Sequence, residues 1–535
     1  MFAGSEAAPC VTLQATVMSK RPHPALRRID ATQLAIDNPH DVPVRLFANS
    51  QVHVESDAVE QLLGFVSLQG TLNDIAAAER AGTIAPFLGE ANPSLQRVVI
   101  TPDFHRGSGI PVGTVAEARD FIVPQAIGND VCCGMRLLVT DITHDELAPH
   151  LDSLPGPLRH TFFRGGRDLP MSPRQRQALL REGLWGLHET HADNAGRGLW
   201  RLYDPQQQES DLSRVHFQGI LPAKGVFAFD DYIQGSGASD GRDTQIGSVG
   251  GGNHFVELQV IEDTFGAAAH DWGLRRGLVT LMAHSGSVGL GHAVGGFFSD
   301  QARAQFPARL PRPEHGFWPV PTRGPHAALA ARYLDAMRNA ANFAFGNRLF
   351  LGLMATRVLG EVLGREVHTR LIYDAPHNLI WDEERGPGVY LHRKGACPAH
   401  GPLPDTQGPF RYCGQPVIIP GSMGASSYVL SGTGSEAALS SACHGAGRAL
   451  SRGDSRRFDE DRAAQELGRL RVVAPLDPKA PEVRLRRDVL SEYEGRLKEE
   501  APYAYKDITP VIDTVQAAGI AERVARLFPL LTIKG

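Results

Sequence analysis

The sequence predicts an α+β protein built around a single compact domain, and three observations carry that prediction. Short apolar runs of strand type recur along the chain, at residues 98–101, 135–140, 255–260 and 417–419. Between them lie stretches whose apolar residues keep helical spacing, the longest at 333–363. Glycine (57 residues) and proline (37 residues) are abundant, which points to many tight turns and argues against a helical bundle.

Taken in order, residues 1–45 are rich in Pro, Ala and Arg without a sustained period and read as an N-terminal extension, with Met18 as an alternative start. One domain then occupies 46–535. Ala58, Leu62 and Leu63 give helical spacing within 52–90, and the buried strand at 98–101 is stopped by Pro102. Residues 141–215 are more polar, carry an amphipathic helix over 174–188, and read as an elaboration lying over the core. Gly, Ser and Asp dominate 235–252, a loop that feeds the alternating strand 255–260. Residues 295–328, with several prolines and His315, Phe317 and Trp318, read as an inserted surface loop. Shorter helices are expected at 463–470 and 517–527, and no internal repeat, coiled coil or low-complexity tail is present.

Composition excludes several classes. At 42% hydrophobic and 21% charged, the 535 residues are those of a soluble globular protein, with no run approaching the roughly 18 apolar residues of a membrane span. The first twenty residues lack a basic start and apolar run, so the expected location is cytoplasmic. Six cysteines without a CxxC pair make neither a disulfide framework nor a zinc ribbon, and a special cysteine would be a ligand or nucleophile. A net charge of -5 argues against coating nucleic acid nonspecifically but leaves room for a local basic groove.

The chemistry concentrates in glycine-flanked segments. Ser440-Ser-Ala-Cys-His444-Gly445-Ala446-Gly447-Arg448-Ala-Leu-Ser-Arg452 sets one imidazole before two glycines and then two arginines. That pattern suits a nucleophile with phosphate oxygens packed against bare backbone and cationic forks within reach, although an ordinary turn would also explain it. Gly128-Asn129-Asp130-Val131-Cys132-Cys133-Gly134, Gly250 to Glu257, His284-Ser-Gly-Ser287 and Asp374-Ala-Pro-His377-Asn378 share one grammar, a ligand-type side chain beside small residues. Asp130, Cys133, His254, His284 and His377 are the ligand candidates, a mixed set suited to Mn, Co or Zn rather than Mg or Ca. Singly, each histidine could be a hydrogen-bonded core residue, Cys133 a small hydrophobe and Asp130 a turn cap.

Pro420-Gly421-Ser422-Met423-Gly424-Ala425-Ser426-Ser427 follows the strand at 417–419, and its small residues would let backbone N–H groups face an anion, or simply form a turn. His392-Arg393-Lys394-Gly395 adds cationic donors or is a solvated basic turn. There is no GxxxxGK[ST] loop and no KxDG, so a covalently attached nucleotide would need a histidine.

In order along the chain, Pro102-Asp103-Phe104-His105, Asp130-Val-Cys-Cys133-Gly, Gly252-Asn253-His254-Phe255-Val-Glu257, His284-Ser-Gly-Ser, Ala341-Asn342-Phe343-Ala344 with Asn347-Arg348, His377-Asn378, His392-Arg-Lys-Gly-Ala396, Pro420-Gly-Ser-Met-Gly424, His444-Gly-Ala-Gly-Arg448 and the terminal Ile533-Lys534-Gly535 closely resemble the RtcB family of RNA ligases. The resemblance implies mixed β-sheets with surrounding helices and a GTP- and Mn2+-dependent enzyme. Its substrate would be RNA with a 3′-phosphate or 2′,3′-cyclic phosphate end and a 5′-hydroxyl end, with an archease-like activator as a further expected partner. By match of motif, His444 would carry GMP. Cys133 would bridge two Mn2+ ions, with Asp130 and His254 on one and His284 and His377 on the other. Asn253, Glu257, Asn378, Pro420, Gly421, Ser422, Met423, Ser427, Gly445, Ala446, Gly447, Tyr505 and Lys534 would meet the nucleotide, and Arg448 and Arg452 an RNA phosphate.

Three departures mark a divergent branch. Val288 replaces the family's arginine after His-Ser-Gly-Ser, Gln125-Ala126-Ile127-Gly128-Asn129 replaces Gly-Gly-Val-Gly-Tyr, and Cys397 replaces a threonine. They bear on substrate choice more than on metal binding or guanylylation. Two other readings stand beside the ligase: a metal-dependent end-processing phosphodiesterase using the same cluster, and a non-catalytic RNA-binding paralogue.

Overall fold

Strand-type sequence assembles here into two large mixed sheets, seen in a computed structural model that describes residues 23–227, 229–234, 245–382, 384–403, 408–457, 465–467 and 470–535. The first sheet runs Leu26–Arg28, Gln33–Ile36, Val44–Phe47, Ser94–His105, Val112–Arg119, Val389–Lys394, Asn378–Trp381. The second runs Thr369–Pro376, Gly134–Thr143, Leu278–Ser285, Phe255–Thr264, Ala521–Ile533, Ser427–Gly432, Pro416–Ile419, with Val472–Val473 added parallel to Ala521–Ile533. Among the described residues no helix is long and apolar enough to cross a membrane.

The helix expected at 333–363 spans Ala327–Leu363 and is the spine of the core. Its face toward the sheets is apolar, yet Asn339, Asn342, Asn347 and Arg348 are fully buried on it. Unpaired, such groups would cost several kcal/mol in all. Instead each staples a loop. Asn342 accepts from Leu221 N and donates to the carbonyls of Leu180 and Leu221. Asn347 accepts from Gly247 and Ser248 and donates to Ser248, Ser285 and Gly286.

Arg348 ends this polar ladder against Asp374, at 2.8 Å, while Arg136 reaches the same carboxylate from a neighbouring strand at 3.2 Å. Arg348 also donates to the carbonyls of Cys132 and Ser285, so one buried charge cluster fixes the backbone beside Cys133 and His284. Asp374→Ala would strand two buried guanidinium groups. A loss of about 3–5 kcal/mol is expected, measured as a lower denaturation midpoint; an unchanged midpoint would contradict this role.

Several expectations need correction. From Leu26 onward the supposed extension is part of the first sheet, where Val44–Phe47 pairs in parallel with Ser94–His105 and Leu46 and Phe47 are fully buried. Residues 1–22, including Met18, lie outside the described residues. The 295–328 stretch is not a surface loop. It continues the Val288–Gln305 helix and buries Phe317, Trp318 and Val320, with Val320–Pro321 pairing against Phe121–Ile122. Within 141–215, the helix Pro173–Thr190 packs on Ala327–Leu363 and joins the main core rather than lying over it. The helix expected at 517–527 is instead the end of Ile508–Ala517 followed by the central strand Ala521–Ile533. There Val524, Ala525 and Leu527 bury against one layer, and pairing on both sides overrides the local helical spacing. The helix expected at 463–470 falls largely outside the described residues, as does 235–244 of the expected loop at 235–252.

Candidate active site

Strand register builds the site. In the second sheet, Gly134 pairs with both Ser285 and Pro376, and His284 pairs with Phe255. Four neighbouring strands therefore begin or end at one level, placing Cys133, His254, His284 and His377 together though they are far apart in sequence. His377 sits where Thr369–Pro376 gives way to Asn378–Trp381, so it also joins the two sheets. The chain then returns through Val389–Lys394 to Ala396–Pro398, whose pairing with Ser441–Cys443 delivers His444 to the same place.

The resulting knot is tight. Cys133 Sγ lies 3.2 Å from His254 Nε2 and 3.1 Å from His284 Nε2. His284 Nε2 is 3.4 Å from His377 Nε2, and His254 Nε2 is 2.8 Å from Asp130 Oδ2. Burial holds His284 and His377 well below the ordinary histidine range, so both are neutral imidazoles with a lone pair to offer. Burial pushes the Cys133 thiol well up, and the Asp130 charge adds to that. Burial alone would raise Asp130, but the neighbouring His254 and Cys133 hold its carboxyl below the usual range. The Nδ1 atoms of His254, His284 and His377 and Oδ1 of Asp130 are buried without a hydrogen-bond partner. Cys133, His254 and His284 offer ligand atoms within 4.8 Å of one another. One sulfur, several imidazole nitrogens and a carboxylate converging on one point fit a soft-to-borderline divalent metal, which would displace the thiol proton on binding.

His444 stands beside this knot, its ring centroid 4.4 Å from that of His377. Its Nδ1 faces two acceptors, Asp103 Oδ2 at 2.9 Å and the Gly395 carbonyl at 2.8 Å. Two acceptors at one nitrogen require that Nδ1 carry the proton, so Nε2 is the nitrogen that offers a lone pair when the ring is neutral. Asp103 is fully buried; the desolvation that would raise its pKa is outweighed by His444 and the Thr101 hydroxyl, and its carboxyl is held down. Gly447 lets the following loop press on the Asp103 backbone, since a Cβ at its φ of 79° would meet the Asp103 carbonyl oxygen at 2.4 Å.

Asp130, Cys133, His284, His377 and His444 line one cavity of about 300 Å³. Lining it as well are Asn253, Glu257, Asn378, the Pro420 to Met423 turn, Gly445, Ala446, Gly447, Arg448, Arg452, Tyr505 and Lys534. His254 and Ser427 lie just behind: Ser427 accepts from Gly421 N at 3.1 Å and so shapes the turn. Because Thr532 and Ile533 pair with Glu257 and Val256, strand register carries the terminal Lys534 to the cavity, where its Nζ donates to Gly252 O at 2.6 Å. Asn378 is bonded to the backbone of Asp130 and Gly395. Arg448 and Arg452 share the Glu500 carboxylate, Arg452 also faces that of Glu499, Arg448 donates to the Glu499 backbone carbonyl, and Arg448 lies over the Tyr505 ring at 5.0 Å.

Sequence reasoning missed Asp103, whose motif was visible but whose role depends on contact with a residue 341 positions away. It also missed Glu500 and Thr532. The supposed basic turn splits into different parts. Arg393 is buried over Trp381 and paired with Glu384, while Lys394 lines the cavity with Nζ bonded to Ile127 O at 3.0 Å. Val288, where the family carries arginine, does not line the cavity; it opens its helix at a left-handed φ of 48°.

Fold and site define an enzyme-type pocket with a cysteine-histidine cluster able to hold a metal, beside one histidine bonded through Nδ1. The family model described as tRNA-splicing ligase RtcB matches residues 90–535. A tRNA-splicing ligase RtcB from Thermococcus kodakarensis is 32% identical, with 95% of this chain and 99% of that protein covered. One from Pyrobaculum aerophilum is 30% identical (92% and 95% covered), and the RNA-splicing ligase RtcB of Mycobacterium tuberculosis is 34% identical (81% and 96% covered). The chain belongs to the RtcB family.

Proposed function

We propose that this RNA ligase seals RNA 3′-phosphate or 2′,3′-cyclic phosphate ends to 5′-hydroxyl ends in the cytoplasm, using GTP and Mn2+ and passing through a GMP-His444 intermediate. The observation that carries this reading is the fixed tautomer of His444 beside the cluster. Its Nε2 lone pair attacks the α-phosphorus of GTP as the bond to the β-phosphate oxygen breaks and pyrophosphate leaves. An oxygen of the RNA 3′-phosphate then takes the guanylate from Nε2, and the 5′-hydroxyl attacks the activated 3′-phosphate, releasing GMP. A cyclic end is first opened by water. Asp103 and Gly395 hold the Nδ1 proton throughout, which orients the ring and stabilises the charge it gains when Nε2 bonds phosphorus.

Two Mn2+ ions would be held by Cys133 in common, one with Asp130 and His254, the other with His284 and His377. When bound, they lower the charge repulsion around the attacked phosphorus. Asn253, Asn378, the Pro420 to Met423 turn, Ser427 and the Gly445 to Gly447 loop would surround the nucleotide. Glu257, Tyr505 and Lys534 form the end that reads the base, and Arg448 and Arg452 lie where an RNA phosphate could be met.

Glu257 gives a pH test. Burial pushes it up to about 7 although Thr532 and Gln259 donate to it. Its ionised form is the acceptor that guanine N–H donors need, so binding strengthens above that value and fails below it. GTP affinity is expected to fall about tenfold more in the wild type than in Glu257→Gln between pH 8 and pH 6, by the one-unit-per-tenfold rule. Parallel profiles for the two proteins would remove Glu257 from base recognition.

The proposal is tested by offering the protein RNA with a cyclic-phosphate end and a second RNA with a 5′-hydroxyl. Joining that needs both GTP and Mn2+ is expected. Opening of the cyclic end without GTP, and with no joined product, would favour a phosphodiesterase instead.

A further inference from the structure

Five cationic side chains line the cavity, and four of them are engaged within the protein. Lys394 donates to Ile127 O, Lys534 to Gly252 O with Glu500 3.7 Å away, and Arg448 and Arg452 face Glu499 and Glu500. The fifth is Arg106, which lines the same cavity and is exposed; its backbone is bonded to Glu55, while its guanidinium has no hydrogen bond or ion pair to any described residue. Its segment follows the strand that carries Asp103, three residues on from the carboxylate that holds His444. The backbone there is pinned: Gln61 Nε2 donates to the carbonyls of Gly107 at 2.7 Å and Gly109 at 2.8 Å, and Gly107 N donates to Gln61 Oε1 at 3.2 Å. An uncommitted guanidinium on an anchored loop, facing a cavity whose other cationic side chains are already held by carbonyls or carboxylates, is suited to an incoming anion.

We propose that Arg106 receives a phosphate of the RNA strand and so positions it in the cavity, where Arg448 and Arg452 are already engaged by Glu499 and Glu500. The inference rests on the ligase reading, because only an RNA substrate supplies that phosphate once GTP has given its guanylate to His444. Arg is the fitting residue, since its planar fork grips two phosphate oxygens at once while the anchored loop limits the entropy lost.

The test is equilibrium binding of a short single-stranded RNA bearing a 3′-phosphate, measured over a series of salt concentrations for wild type, Arg106→Ala and Arg106→Lys. The alanine variant is expected to bind at least about tenfold more weakly, as for a lost hydrogen bond to a charged group. Its plot of log affinity against log salt should flatten by about 0.7, one phosphate's worth for a single strand. The lysine variant should recover the slope, which a merely structural role would not require. Wild-type affinity and slope in Arg106→Ala would overturn the inference. Labelling of the wild type by α-labelled GTP is run alongside: label without any Arg106 effect rejects this contact alone, whereas a wild type that takes no label rejects the ligase reading beneath it.

Discussion

His444→Ala is expected to leave the protein unable to take label from α-labelled GTP, a loss of at least roughly 10⁴-fold on the scale seen when a covalent nucleophile is removed. Metal binding should survive, because His444 is not among the proposed ligands, although its ring packs on His377 as well as bonding Asp103 and Gly395. The alternative nucleophiles are poor. Burial pushes the Cys133 thiol well up, and a metal that took its proton would also occupy its sulfur. Lys394 is buried and already bonded to a carbonyl. Full labelling of His444→Ala, measured on a denaturing gel, would sink the nucleophile assignment.

Cys133→Ala should remove Mn2+ binding and ligation together. The sulfur is the point on which His254 and His284 converge, at 3.2 and 3.1 Å, and it is the ligand shared by both proposed ions. Losing a ligand common to both sites should weaken Mn2+ affinity by more than the roughly 10–100-fold typical of an outer-shell partner. Titration calorimetry, or the signal of free Mn2+ in solution, reads this without reference to activity. Wild-type Mn2+ affinity in this variant would rule out the bridging role.

The residues that converge on Cys133 stood out in the sequence because glycine or other small residues flank most of them, and glycine at a strand end marks a place where backbone conformation rather than packing is specified. What the sequence could not display is register. That Gly134 faces Ser285 and Pro376, and that Thr532 faces Glu257, follows from long-range pairing. Those pairings alone explain why a terminal lysine lines the cavity. Asp103 was hidden for the same reason, since its motif is local but its partner is not. The expected helix at 517–527 failed because small and apolar residues fit either period until two neighbouring strands choose one. The 295–328 stretch looked like surface because of its prolines, yet Phe317 and Trp318 fill the core between them.

The central claim is a covalent guanylate on His444, and the most direct measurement is the chemical stability of the label. The protein is incubated with α-labelled GTP and Mn2+, denatured, and exposed separately to acid and alkali. A phosphoramidate on an imidazole is expected to lose its label in acid and keep it in alkali. No adduct from protein shown to contain metal, or an adduct that withstands acid, would contradict the account.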